Sequence, residues 1–242
     1  MRPLLAIAGV VLFGAVAALA RSPAVVPPAF ARAPHYTAAP RETVEGRDPA
    51  ALDPGIAPEQ LDRANSARPR MVTGLVLPIE GAGVPEDPDL QPNAARGYRA
   101  GWHEGIDFAV PRGSAVLAAA AGTVARIDRD YTDLSTTDRE QALADARALG
   151  YTPEATLDRI RGRQVWIDHG GGLVTRYAHL DAVAPLAVGE RVERGQPVGV
   201  VGSTGYPEGG PHLHFEIRVG EGYLGDGLEG ERLARVIARA FE

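Results

Sequence analysis

The segment His212-Leu213-His214-Phe215-Glu216-Ile217, with Val219 just beyond, alternates polar and apolar side chains without a break. Successive side chains of a β-strand point to opposite faces. As a strand, the segment puts His212, His214 and Glu216 on one face. Leu213, Phe215, Ile217 and Val219 fall on the other, which reads as core. Two imidazoles opposite a clean apolar face is the pattern of a site built on a sheet.

Neighbouring segments extend this reading. Leu173 to Leu180 also alternates. Period two puts Thr175, Tyr177 and His179 on one face, so pairing with the first segment would bring His179 close to His212 and His214. Tyr177 would share that face as a candidate substrate contact. Gln164 to Asp168 is another short strand, and Gly170-Gly171-Gly172 supplies a hairpin turn before Leu173. Ala115 to Leu117, Gly122 to Ile127 and Arg191 to Val201 complete the β pattern. Val72 to Ile79 is expected to open it as a strand. Many short strands separated by turns predict a mainly β domain with an antiparallel sheet.

Helical sequence interrupts this pattern twice. Thr137-Asp138-Arg139-Glu140 fits a capping box with Thr137 at the cap. The helix it opens runs to Leu149, where Gly150 can end it. Thr152-Pro153 then opens a second helix to about Arg161, followed by Gly162. The expectation is a helical hairpin inserted at about 132–162. Glu229 to Phe241 predicts a C-terminal helix with Leu233, Val236, Ile237 and Ala240 on its apolar face.

The chain has 242 residues, enough for a substantial core, and no cysteine. Disulfides, zinc–thiolate sites and thiol nucleophiles are therefore excluded. The net charge of −6 is spread without basic clusters, so no nucleic-acid partner is expected. Arg2, the uncharged run Pro3 to Ala20 and the small-x-small ending Ala18-Leu19-Ala20 have the anatomy of a signal peptide over residues 1–20. An uncleaved membrane anchor is the alternative, and the only membrane contact expected. Both place the remainder outside the cytoplasm, secreted or in the periplasm and cell envelope. Residues 21–70 are dense in Pro and Ala and read as a disordered linker. The domain is then expected over 71–242.

Five of the six histidines lie in that domain. Without cysteine, a metal there must be held by imidazole or carboxylate. Catalytic zinc characteristically uses three such ligands and leaves one position to water, whose pKa falls toward about 7. Hydrolysis further needs a base and a group that steadies the developing oxyanion.

The order His103-Glu104-Gly105-Ile106-Asp107, then Tyr177-Ala178-His179-Leu180, then Gly210-Pro211-His212-Leu213-His214-Phe215-Glu216 resembles the lysostaphin and LytM type of zinc metallopeptidase. Glycine-rich stretches at Ile167-Asp168-His169-Gly170 and Val200-Val201-Gly202-Ser203-Thr204-Gly205 agree with that family. The resemblance covers about Leu75 to Val219. It implies the duplicated hybrid motif fold and one Zn2+ per chain, with His103, Asp107 and His214 as metal ligands. It implies catalytic roles for His179 and His212, the two histidines outside the ligand set, in activating water and stabilising the transition state. Family members cut peptide stems or cross-links of peptidoglycan, so an exported endopeptidase with peptidoglycan as its partner is the expected function.

The helical insertion, the loop Arg96 to Trp102 and the C-terminal helix depart from the family's common form. They bear on specificity, and the insertion is where a protein partner could dock. The alternative function is a non-enzymatic relative that activates another wall hydrolase; retention of all five site positions favours catalysis. His169, beside the triple glycine, reads as a hydrogen-bonding turn residue. Glu104 and Glu216 read as partners that orient ligands or as surface groups. Gly189 to Gly199 resembles a carrier-domain hairpin but has no lysine at its tip.

Overall fold

The structure, a computed structural model, describes residues 71–242. The expected signal or anchor segment (1–20) and linker (21–70) lie outside the described residues. Among the described residues, no helix is long and apolar enough to cross a membrane.

Among the described residues, ten strands form two antiparallel sheets. The larger contains β1 (Ile106–Phe108), β3 (Gly122–Ile127), β4 (Val165–Asp168), β5 (Leu173–Ala178), β7 (Arg191–Val192), β9 (Leu213–Val219) and β10 (Gly222–Tyr223). Its order is β1-β9-β5-β4-β3-β7, with β10 also paired to β9. The smaller sheet runs β2-β8-β6, from Ala115–Leu117, Pro197–Val201 and Leu180–Val183. Leu213, Phe215 and Ile217 of β9 join Val124, Val165 and Ile167 of the large sheet in one core, with Val116, Val198 and Val201 of the small sheet. The core thus lies between the sheets, as the alternation in β9 predicts. Helix α3 (Gly230–Ala240) adds Leu233, Ile237 and Ala240 to it.

The inserted hairpin is present as α1 (Thr136–Leu149) and α2 (Glu154–Arg161). Its cap differs from expectation. Ser135, not Thr137, caps α1, accepting a hydrogen bond from Asp138 N–H, and its hydroxyl donates to Asp138 Oδ2. Three consecutive hydroxyl residues compete for the cap; Ser135 and Thr137 each have a carboxylate three residues on, at Asp138 and Glu140, and the helix begins from the earlier one. Gly150 ends α1 in the left-handed conformation at φ 76°. Pro153 is the residue before the first turn of α2 rather than within it.

The segment Val72 to Ile79 is not a strand. It buries Val72, Leu75 and Ile79 but donates only isolated hydrogen bonds, Leu75 N–H to the Ala240 carbonyl and Val76 N–H to the Ala119 carbonyl. Its apolar run is satisfied by the core without a ladder.

Register on the outer face of the large sheet positions everything that follows. Arg126 lies opposite Trp166, Trp166 opposite Arg176, and Arg176 opposite Glu216. One row further along, Ala178 lies opposite His214 and His214 opposite Asp107. Helix α2 covers the first row through ion pairs from Asp158 to Arg126 and from Arg161 to Glu216.

Candidate metal centre

Asp107 and His214 face each other because they are register partners on β1 and β9. His103 reaches them from the preceding loop, which is pinned by His103 N–H to the Ala94 carbonyl and Asn93 N–H to the His103 carbonyl. Asp107 Oδ1 is 2.9 Å from His103 Nε2 and 2.8 Å from His214 Nδ1, and the two nitrogens are 3.0 Å apart. All three side chains are buried. Among the described residues they form a group able to hold a metal ion.

Hydrogen bonds on the far side of each ring fix the tautomers. A carbonyl oxygen can only accept, so His103 Nδ1 donates to Gln91, 2.9 Å away. His214 Nε2 donates to the Glu216 carboxylate at 3.1 Å. Lone pairs on His103 Nε2, His214 Nδ1 and Asp107 Oδ1 therefore converge within about one hydrogen-bond length. Such a cluster needs a cation at its centre. Without a metal, the available cation is a proton on His214. Burial opposes that charge, but hydrogen bonds to Asp107 and Glu216 outweigh it and raise the His214 pKa. His103 runs the other way, pushed down to about 3 by burial and the nearby Arg96 guanidinium. Burial also opposes the Asp107 charge, yet the adjacent His103 and hydrogen bonds from both histidines hold its carboxyl well below the usual range. Arg96 occupies the second oxygen, Asp107 Oδ2, at 3.2 Å. Two imidazoles and one carboxylate oxygen, all deprotonated when a metal displaces the proton, fit a divalent ion of borderline softness.

The other two histidines sit beside this cluster. The ring centroids of His179 and His212 are 4.5 Å apart, and His179 is 5.8 Å from His214. Their Nδ1 atoms donate to backbone carbonyls, His179 to Thr204 and His212 to Gly210, both at 2.9 Å. In the neutral rings Nε2 carries the lone pair. Burial is the main cause lowering both pKa values, reinforced at His179 by the neighbouring histidines. At neutral pH both rings are therefore uncharged.

His179 arrives by a route that strand parity did not foresee. Tyr177 lies opposite Phe215 and faces the core, fully buried, with its hydroxyl accepting from Ala119 N–H and hydrogen-bonded to Thr175 Oγ1. The expected place of Tyr177 at the site is thus corrected. The strand ends at Ala178, and His179 adopts a left-handed backbone at φ 61° that turns its ring to the opposite side. A non-glycine residue at positive φ is strained and needs a hold. Here its N–H donates to the Arg161 carbonyl at 2.8 Å. His169 behaves as expected, donating from Nδ1 to the Ala121 carbonyl.

Three residues near the site were not singled out from sequence. Arg96 holds Asp107. Tyr206 lies 6.4 Å from His179 and 6.5 Å from His212, ring to ring, and stacks on Tyr98 at 5.2 Å. Arg161 reaches Glu216. None has a local pattern that marks it, because each acts through a loop or helix folded back onto the sheet.

A model of peptidase family M23 matches residues 101–225, just over half of the chain, and spans His103, Asp107, His179, His212 and His214. The chain belongs to peptidase family M23. The M23 region is 36% identical over 117 residues to the DD-carboxypeptidase/endopeptidase Mpg of Neisseria meningitidis serogroup B, covering 48% of this chain and 20% of that protein. It is 33% identical over 117 residues to the peptidoglycan DD-endopeptidase ShyA of Vibrio cholerae, with the same coverage of 48% and 20%. The match thus spans about a fifth of the length of these M23 relatives. Among solved structures, the catalytic domain of lysostaphin from Staphylococcus simulans aligns with a TM-score of 0.37 at 26% identity, covering 53% of this chain and 74% of that one.

Proposed function

We propose that the protein is a zinc endopeptidase that hydrolyses peptide bonds in peptidoglycan stems or cross-links. His103, Asp107 and His214 would hold the ion through Nε2, Oδ1 and Nδ1. Zinc bound there supplies Lewis acidity and makes water a nucleophile near neutral pH. The chain's own residues do the remainder. Neutral His179 and His212 can each take a proton at Nε2 from the attacking water and return one to the departing amine. Once protonated, either imidazole can donate to the oxyanion that develops on the scissile carbonyl. The Thr204 and Gly210 carbonyls keep both rings in the tautomer this requires.

One observation carries the reading: three converging lone pairs stand beside a second pair of neutral histidines. Membership of M23 and relatives named as peptidoglycan endopeptidases support the substrate class. That substrate puts the domain in the cell envelope or outside the cell, consistent with the N-terminal segment read as an export signal or anchor.

The test is digestion of purified peptidoglycan by the full chain, with products identified by mass spectrometry. The expected result is zinc-dependent release of peptide fragments, abolished by a chelator. His212→Ala should lower kcat by about 10²–10⁴-fold while the chain still binds zinc. Undiminished digestion by that variant, or a wild type that releases nothing with zinc bound, overturns the reading.

A further inference from the structure

The metal cluster rests on a carboxylate that is itself held from the inserted hairpin. Glu216 is completely buried, yet the guanidinium groups of Arg161, Arg176 and Arg218 surround its carboxylate. Its Oε1 accepts from His214 Nε2 at 3.1 Å and from Arg161 Nε at 2.6 Å. Its Oε2 lies 3.3 Å from both Arg176 and Arg218. Arg161 is the last residue of α2, and its side chain is 4% exposed. The rest of its guanidinium is occupied too, by Glu154 at 2.8 Å and Glu104 at 3.0 Å. Glu104 in turn adjoins His103 in sequence. Through its backbone carbonyl, Arg161 also accepts the His179 N–H and so holds the left-handed turn.

We propose that Arg161 is a positioning residue for the metal centre. Through Glu216 it fixes the ring of His214, and through its own carbonyl it holds His179, so that both halves of the site are set by the end of one inserted helix. The physical reason is specificity of orientation. A carboxylate with two acceptor oxygens can meet an imidazole N–H from several directions. The rigid fork of Arg161 leaves Oε1 only one, and the His214 ring then presents Nδ1 toward Asp107 and His103. A group hydrogen-bonded directly to a ligand, as Glu216 is to His214, commonly changes metal affinity about 10–100-fold when removed, and Arg161 acts through that group. Arg176 and Arg218 remain to neutralise Glu216, so loss of Arg161 removes direction more than charge.

The inference rests on the metal-centre reading, and the test separates the two. Zn2+ affinity of the full chain is measured by competition with a chromophoric chelator, alongside the thermal midpoint of the metal-stripped chain. Arg161→Met should weaken Zn2+ binding by about 10–100-fold. Arg161→Lys, which keeps the charge but not the fork, should recover only part of that loss. Glu154→Gln, which removes an exposed partner of Arg161, should bind Zn2+ within about threefold of wild type. A merely structural role would lower the midpoint of the stripped Arg161→Met chain and leave its Zn2+ affinity within threefold of wild type, and that result overturns the inference alone. If Arg161→Met does not fold, Glu216→Gln decides, because it keeps an acceptor for His214 Nε2 while losing the pull of Arg161. Unchanged affinity there overturns the inference as well. A wild type that takes up no Zn2+ overturns the metal centre and this inference together.

Discussion

His214 donates to Glu216 on one side of its ring and meets Asp107 and His103 on the other, so its charge is tied to whatever cation sits between the three. That gives the metal-stripped chain a characteristic response to pH. His103, His179 and His212 are held neutral by burial, with pKa values below the ordinary 6.5. A group with a depressed folded pKa contributes stability above its unfolded value and loses it as pH falls. His214, raised, works the other way and contributes most below 6.5. Three groups oppose one, and the depressed carboxyls of Asp107 and Glu216 add to the acid-side loss. The stripped chain should therefore lose its urea midpoint progressively as pH falls from 6.5 to about 3, while the opposing His214 contribution is lost as pH rises above 6.5. A midpoint that rises on acidification across this window would contradict the assignment. At this scale the sequence revealed His214 and Glu216 together, because period two is strict inside a strand. It did not reveal how His179 joins them, because that depends on one left-handed residue just past a strand end. Tyr177 was misplaced for the same reason, since parity was carried one residue too far.

Strand β9 is the element on which both faces depend. Its apolar side gives Leu213, Phe215 and Ile217 to the core, and Phe215 packs near Tyr177, Phe108 and Phe241. Phe215→Ala should cost about 3–5 kcal/mol in chemical denaturation. It should also weaken Zn2+ binding, since His214 and Glu216 hang from the same backbone. Stability lost without any change in Zn2+ affinity would show that the ligand face is held independently of the core. The inserted hairpin is a different kind of element. Its helices were legible from caps and glycines, but their boundaries moved by a residue or two because neighbouring Ser and Thr compete for the same cap. What they pack on was not legible. Gly205 allows the close approach of α2, since a side chain there would overlap the Ile160 carbonyl. Asp133 accepts from Gly205 N–H at 2.6 Å and Arg139 pairs with Glu208, tying the hairpin to the loop that precedes His212.

Across the whole molecule, the site joins segments distant in sequence: a loop near residue 103, β1, the end of β5 and β9. The pairing of β1 with β9 closes more than a hundred residues of chain, and no local pattern encodes it. A ligand that binds only the closed arrangement must stabilise it by mass action. At a free Zn2+ concentration a thousandfold above Kd, the gain is about 4 kcal/mol. Stripping the metal should lower Tm by several degrees, with recovery on adding Zn2+ and little recovery with Mg2+, which prefers oxygen ligands. A Tm indifferent to stripping would mean that the cluster contributes nothing to closure.

The row of register partners under α2 also gives the protein an optical handle. Trp166 is one of only two tryptophans in the chain. Its ring lies between two guanidinium groups, 3.7 Å from Arg176 and 4.6 Å from Arg126, and its indole N–H donates to Gln164. Arg126 pairs with Asp158 of the inserted helix, and Arg176 lies next in register to Glu216. Any lifting of that helix would let water reach the indole and shift its emission to the red. In a Trp102→Phe chain, intrinsic fluorescence therefore reads the seating of the helix that supports the site, with no label and no substrate added.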